Sequence, residues 1–322
     1  MYDYFMREKV YQKFILGCEN PSEALRKGLG GVIFFAKDIK TTSQVKSQIK
    51  EYQQIALIQP FISIDQEGGR VERTEAIRPR RLSAKKAFEK GEEYLKAQSE
   101  EISKELADLG FNLNFAPCID VNTNPKNPII GERAFSSNPQ DVIKGANIFI
   151  NASRKYGIIP CIKHFPGHGD ADSDSHLTLP EINLNIDKME SNHIKPFKQI
   201  INEYIEMVMV AHLHCTCFDK EILPTSLSKN AINYLRNKLN YNGVVITDDM
   251  NMNGVQAFGS LEACIMAIEA GVDMFIFRSS DDTTLELIEK LTEVVEKDEK
   301  LKNLVNKSYE RIMDLKKVCG LK

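Results

Sequence analysis

Residues 243–249 read GVVITDD, a short apolar run that ends in two acids. Its continuous Val and Ile content fits a parallel strand covered on both faces, not the alternation of a half-exposed sheet. Outward from it, seven further runs of the same kind stand at 14–18 (FILGC), 31–35 (GVIFF), 61–65 (FISID), 111–117 (FNLNFAP), 158–164 (IIPCIKH), 207–212 (MVMVAH) and 273–277 (DMFIF). Between them lie segments with helical spacing, among them SQVKSQIKEYQQIALI, EEYLKAQSEEISKELADLG and LEACIMAIEAG, the last two closing on Gly as helices often do. Parallel neighbours need such crossovers, so an eightfold alternation predicts an α/β fold, a single (β/α)8 barrel of the TIM type. A doubly wound open sheet is the competing arrangement. No Gly-rich dinucleotide loop follows the first strands, which counts against it.

The chain has 322 residues, and barrels of this kind reach about 250 residues or more as one domain. No Ser/Gly-rich or Pro-rich linker and no low-complexity tract divides it, so residues 1–322 read as one catalytic domain. Residues 281–322, polar and amphipathic, are expected to close the outside of the barrel as helix, and no sequence is left for a separate substrate domain. Apolar residues make up 42% and charged residues 27%, the composition of a folded protein with a large core.

A formal charge of −3 and scattered Lys and Arg exclude a nucleic-acid partner. No apolar run approaches the ~18 residues that cross a bilayer, and the amino-terminal MYDYFMREKVYQKFILG carries charges through its apolar positions, unlike a secretory signal. Seven cysteines without pairing rhythm suit reduced thiols that act as small buried hydrophobes. A cytoplasmic protein without a membrane partner is expected; no sequence feature sets an oligomeric state.

A barrel places its chemistry where strands run into the following loops. Those exits are polar here: Asp65, Asp120, Lys163 with His164, His212, and Asp248 with Asp249. All six histidines fall between His164 and His214, which raises the question of metal. His164 and His168 are four apart, but Pro166, Gly167 and Gly169 make a helix there implausible. The string His212, His214, Cys215, Cys217 leaves a strand, where adjacent side chains diverge. Neither string predicts a metal site, and no cofactor is expected.

The segment 165–180 is rich in Gly, Asp and Ser and long enough to move. Within it, Asp174-Ser175-His176 places a carboxylate two residues from an imidazole, an arrangement that orients the ring and raises its basicity. A histidine so held can protonate a leaving oxygen and later activate water. Asp170 and Asp172 are also near, and only the DSH spacing selects Asp174.

Taken together, GGVIFFAKDI, IDQEGGRVER, LGFNLNFAPCIDV, GERAFS at 131–136, KHFPGHG followed by DSH, and TDDMNMNG resemble glycoside hydrolase family 3 from about residue 10 to about residue 280. Within it they are most similar to the single-domain bacterial β-N-acetylglucosaminidases of peptidoglycan recycling. The resemblance implies a retaining hydrolase. Asp248 would be the nucleophile, His176 the acid/base with Asp174 as its partner, and Asp65, Arg73, Arg133, Lys163 and His164 the grip on the terminal sugar. A DSH acid/base would replace the second domain that supplies this function in β-glucosidase-type members. The residue types suit these roles, because carboxylates accept from sugar hydroxyls and Arg or Lys donate to them. Lys163 and Arg133 are expected to keep Asp248 ionised. The implied substrate is a small carbohydrate, a peptidoglycan-turnover fragment that carries a non-reducing N-acetylglucosamine on 1,6-anhydro-N-acetylmuramic acid, with or without peptide. Two alternatives stay open: a phosphorylase, since some relatives with a histidine acid/base transfer the sugar to phosphate, and a sugar-binding barrel without catalysis. Asp120 and Asp249 receive no role.

Overall fold

The computed structural model describes residues 4–171 and 179–321. Eight strands, Phe14–Gly17 (β1), Gly31–Phe34 (β2), Phe61–Ile64 (β3), Leu113–Asn114 (β4), Ile159–Phe165 (β5), Met207–Val210 (β6), Val244–Asp249 (β7) and Met274–Phe277 (β8), pair in chain order. Every pairing is parallel, and β8 returns to β1 through Phe14 opposite Phe275, so the sheet closes. The result is the (β/α)8 barrel expected from the sequence. The fourth run is the exception in length: of residues 111–117 only Leu113 and Asn114 pair as strand, and Pro117, which has no N–H to donate, lies just beyond.

The strands are apolar on both faces because both faces are covered. Ile15, Ile33, Phe61, Leu113, Ile159, Cys161, Met207, Met209, Val244, Ile246, Met274 and Ile276 fill the interior. Their neighbours, such as Leu16, Val32, Ile62, Ile162, Val208 and Val245, pack against the helices. Helices Glu92–Leu109 and Ser260–Ala270 end where the sequence places Gly, on the left-handed Gly110 (φ 101°) and Gly271 (φ 106°).

After β8 the chain forms helices Asp282–Lys297 and Glu299–Val318. The second reaches beneath the barrel. Its Ile312 and Leu315 join the interior cluster, and buried Lys316 donates to Gln12 Oε1 (2.7 Å) and to the Gly30 carbonyl (3.1 Å), both at strand entrances. Lys13 binds the Val272 and Asp273 carbonyls at 3.1 and 2.7 Å on the same side. The entrance end is thereby plugged, and open space remains at the exits. All seven cysteines are unpaired, and five are buried. Among the described residues no helix is long and apolar enough to cross a membrane.

Candidate active site

Strand alternation sets the first layer of the site. Phe61 faces the interior, as do Ile159 with Cys161 and Val244 with Ile246, so Asp65, Lys163 and Asp248 continue the same inward-facing rows one step above the apolar filling. They line a cavity of about 660 Å³ together with Arg73, Arg133, His164, His168, Asp249 and Arg278. The sequence-predicted binding residues Asp65, Arg73, Arg133, Lys163 and His164 thus meet Asp248 around one space. Asp174 and His176 lie outside the described residues.

Two buried carboxylates, neither given a role from the sequence, fix the cations of this layer. Glu67 accepts a fork from Arg133, with Nε at 2.9 Å and Nη2 at 2.8 Å, and also the Lys163 ammonium at 2.6 Å. Lys163 in turn reaches Asp65 at 2.7 Å. Burial alone would raise the Glu67 pKa; Arg133 and Lys163 overcome it and hold the group well below the usual carboxylate range. Arg133, implied by the resemblance to grip sugar, spends most of its donors inside the protein. Arg73 lies farther off, with its guanidinium 4.0 Å from Asp65.

Asp120 is the second. It accepts from His164 Nδ1 (2.7 Å), the His168 N–H (2.6 Å) and the Cys118 thiol (3.2 Å). Burial pushes its pKa up, but the His164 ring, His168 and these donors carry it below the ordinary value. An ionised acceptor on Nδ1 leaves Nε2 of His164 as an acceptor, and the Arg133 guanidinium stands 3.3 Å from it. Cys118, Asp120 and His164 bring their heteroatoms within 4.8 Å of one another, and these hydrogen bonds account for the closeness. His168, also buried, is pushed down to about 4 chiefly by burial and is neutral at physiological pH. Both flanks of the 172–178 stretch are tied down. Asn127 donates to the His168 carbonyl at 2.8 Å, a Cβ at Gly169 would stand 1.8 Å from the Val121 carbonyl, and Glu181–Ile182 pairs with His214–Cys215.

The two acids at the end of β7 differ. Asp249 is held by Arg278 Nε at 2.7 Å and by the Asn251 and Arg278 amides at 3.0 and 3.2 Å; burial still raises its pKa. Asp248, half-buried at the cavity, accepts one hydrogen bond among the described residues, from the Asp249 amide at 2.7 Å. Burial again pushes up, but His164, His212, that amide and Lys163 outweigh it and lower the pKa. The expected ionisation is found with a different set of causes, since Arg133 is turned to Glu67.

Residues 6–315 match the model of the glycosyl hydrolase family 3 N terminal domain. The chain belongs to this family. Among curated relatives, a Beta-hexosaminidase A from Pseudoalteromonas piscicida is 35% identical over 272 residues, covering 77% of this chain and 46% of that one. A Beta-hexosaminidase from Methylococcus capsulatus is 31% identical, covering 81% and 79%. Of solved structures, a family 3 beta-N-acetylglucosaminidase from Paenibacillus sp. superposes with a TM-score of 0.90 at 31% identity, over 98% of this chain and 62% of that chain. The chain therefore spans about half the Pseudoalteromonas relative and less than two thirds of the Paenibacillus structure. Among the family motifs, IDQEGGR carried a signal for Glu67 that residue-type reasoning passed over: Glu67 stands two residues after Asp65 in the same segment.

Proposed function

We propose that this chain is a retaining exo-β-N-acetylhexosaminidase that releases terminal β-linked N-acetylglucosamine through a covalent glycosyl-enzyme on Asp248. The observation that carries the reading is the state of that carboxylate. It is ionised, lines the cavity, and among the described residues keeps most of its acceptor sites open, whereas Glu67, Asp120 and Asp249 are held by several internal donors. An anomeric carbon seated over Asp248 would be attacked by an unprotonated oxygen. Asp65 and Lys163, joined at 2.7 Å, would take adjacent hydroxyls, with His164, Arg73 and Arg133 completing the grip. Protonation of the leaving oxygen falls to His176, with Asp174 as its partner.

The names of the relatives support the sugar. Peptidoglycan-turnover fragments are the substrates proposed, with residues 1–322 acting as one catalytic unit that 281–322 closes. Unpaired thiols fit a cytoplasmic location. The test is incubation with an aryl β-N-acetylglucosaminide, with and without inorganic phosphate and without added metal. Phenol and free sugar are expected in both, and Asp248→Asn is expected to abolish release while leaving the fold intact. No turnover, near wild-type turnover by Asp248→Asn, or sugar 1-phosphate as the main product would overturn the reading.

A further inference from the structure

Two thiols that the sugar site does not use touch each other. Cys215 Sγ and Cys217 Sγ lie 3.2 Å apart. In a continuing strand, side chains two residues apart would stand about 6.6 Å from each other. The chain turns instead. Cys215 ends the short strand His214–Cys215, and its carbonyl accepts the Phe218 amide at 3.0 Å and the Asp219 amide at 3.3 Å, which folds Cys217 back toward it.

The two sulfurs differ in access. Cys215 is 1% exposed, whereas Cys217 is half-buried. Burial disfavours a charge on Cys215, so its thiol is the donor in the contact. That hydrogen bond lowers the Cys217 pKa, and the same contact, with burial, raises that of Cys215. A reachable thiol that ionises beside a buried one is the division between an attacking and a resolving cysteine.

The pair also lies on an anchor of the 172–178 stretch. His214–Cys215 pairs with Glu181–Ile182, and the His214 amide donates to the Pro180 carbonyl at 2.8 Å. Thr216 is the one residue between the cysteines. Its amide donates to the Ile182 carbonyl at 3.1 Å, and its hydroxyl lies 3.3 Å from the same carbonyl and 3.2 Å from Asn183 Oδ1.

We propose that Cys215 and Cys217 are an oxidisable dithiol: a low-molecular-weight disulfide converts them to an internal bridge, and the bridge shifts Thr216 and the anchor it holds. First the Cys217 thiolate attacks one sulfur of the reagent RSSR, forming a mixed disulfide and expelling RS⁻, which takes up the proton that Cys217 gave up. Then Cys215 loses its proton and attacks the Cys217 sulfur, which closes the bridge and expels the second RS⁻. Two cysteines lose two hydrogens and two electrons, and the reagent leaves as two RSH. Shortening the 3.2 Å contact to a bond of about 2.05 Å draws the side chains together by about 1 Å, across a single intervening residue. Transient bridges of this kind are compatible with a reducing compartment. The bridge rests on the sulfur geometry; its effect on turnover rests on His176 as the acid.

The experiment exposes the reduced full chain to oxidised glutathione, then unfolds, alkylates and digests it with trypsin. Peptide 199–220 contains these two cysteines and no other. It should escape alkylation, weigh two hydrogens less, and revert with dithiothreitol. Cys215→Ala should stop at glutathione on Cys217, and Cys217→Ser should leave Cys215 unmodified; either variant serves if the other does not fold. A wild-type peptide that is fully alkylated, keeps glutathione, or is linked to another cysteine overturns the bridge. Bridged wild type should lose about 10-fold in kcat/KM on a substrate with a poor leaving group and much less on an activated aryl glycoside, while treated Cys217→Ser loses nothing. Bridged protein that turns over both substrates as the reduced form does overturns the link to the anchor. If His176→Ala slows both classes equally, the acid assignment falls and the mapped bridge stands.

Discussion

Replacing Asp120 by Asn keeps the shape of the side chain and removes its charge. The carboxylate takes the His168 amide on Oδ1 at 2.6 Å and His164 Nδ1 and the Cys118 thiol on Oδ2 at 2.7 and 3.2 Å. An amide can accept on one side only. If its carbonyl stays on His168, its NH2 faces His164 Nδ1, which must pass its proton to Nε2, where Arg133 stands 3.3 Å away as another donor. If the amide flips, its NH2 meets the His168 N–H. Either way one hydrogen bond to a charged acceptor is lost and two buried donors face each other. The first is worth about 1.5–3 kcal/mol and the second costs about 1–3 kcal/mol, so equilibrium denaturation at pH 7 should show a loss of about 3–5 kcal/mol. The loss also has a pH signature. The folded pKa of Asp120 is depressed, so its contribution is complete above the unfolded value near ~3.9 and disappears as pH falls through the folded value. Wild type and variant should converge in acid. A displaced His164 should lower kcat/KM about 100-fold. A variant within about 0.5 kcal/mol of wild type at pH 7, or a gap that persists unchanged in acid, refutes the assignment of Asp120 as the buried anchor of His164.

Glu67→Gln leaves Lys163 and Arg133 buried with Asp65 as the carboxylate still bound to Lys163, so chemical denaturation should show a loss of about 3–5 kcal/mol; a change within error would mean that the Arg133 fork contributes nothing net. His176→Ala should slow substrates with poor leaving groups far more than activated aryl glycosides, because the latter need little protonation. Equal losses in kcat/KM on the two classes would remove His176 as the acid.

The barrel was legible because its signal is repeated eight times and does not depend on any boundary. Single-strand boundaries were less so: FNLNFAP reads as a seven-residue strand, yet only Leu113 and Asn114 pair as regular strand, with isolated hydrogen bonds to the neighbouring strands on either side of Pro117, which has no N–H to donate. In the site, residue type and strand exit were enough to place Asp65, Lys163 and Asp248 on one side. They could not say which charges are spent on one another. Arg133 looks like a free ligand group in the sequence, yet in the fold it lines the cavity with Nε and Nη2 already given to Glu67, while Asp120 looks idle and holds the His164 ring. Partnership between residues 44 or 66 positions apart leaves no local pattern to read.

The ranking of Asp248 over Asp249 shows where the missing information resides. In GVVITDD the two acids are equivalent by composition, and either could face the barrel interior. A slip of one residue would exchange them. Parity decides it: Val244 and Ile246 occupy the interior, so Asp248 is the acid that continues their row. The other is removed by an irregularity in the next pairing, where Met274 stands opposite Ile246 but Ile276 stands opposite Asp249. This shift draws Asp249 toward the β8 exit, where the Arg278 amide and guanidinium meet its carboxylate. The same chain geometry therefore frees one acid toward the cavity and ties up its neighbour, and the difference in charge state follows from the difference in partners. Lys163 acquires its place by the same parity through Ile159 and Cys161, which is why an ammonium and the cavity-facing Asp248 carboxylate share one layer of an otherwise apolar barrel.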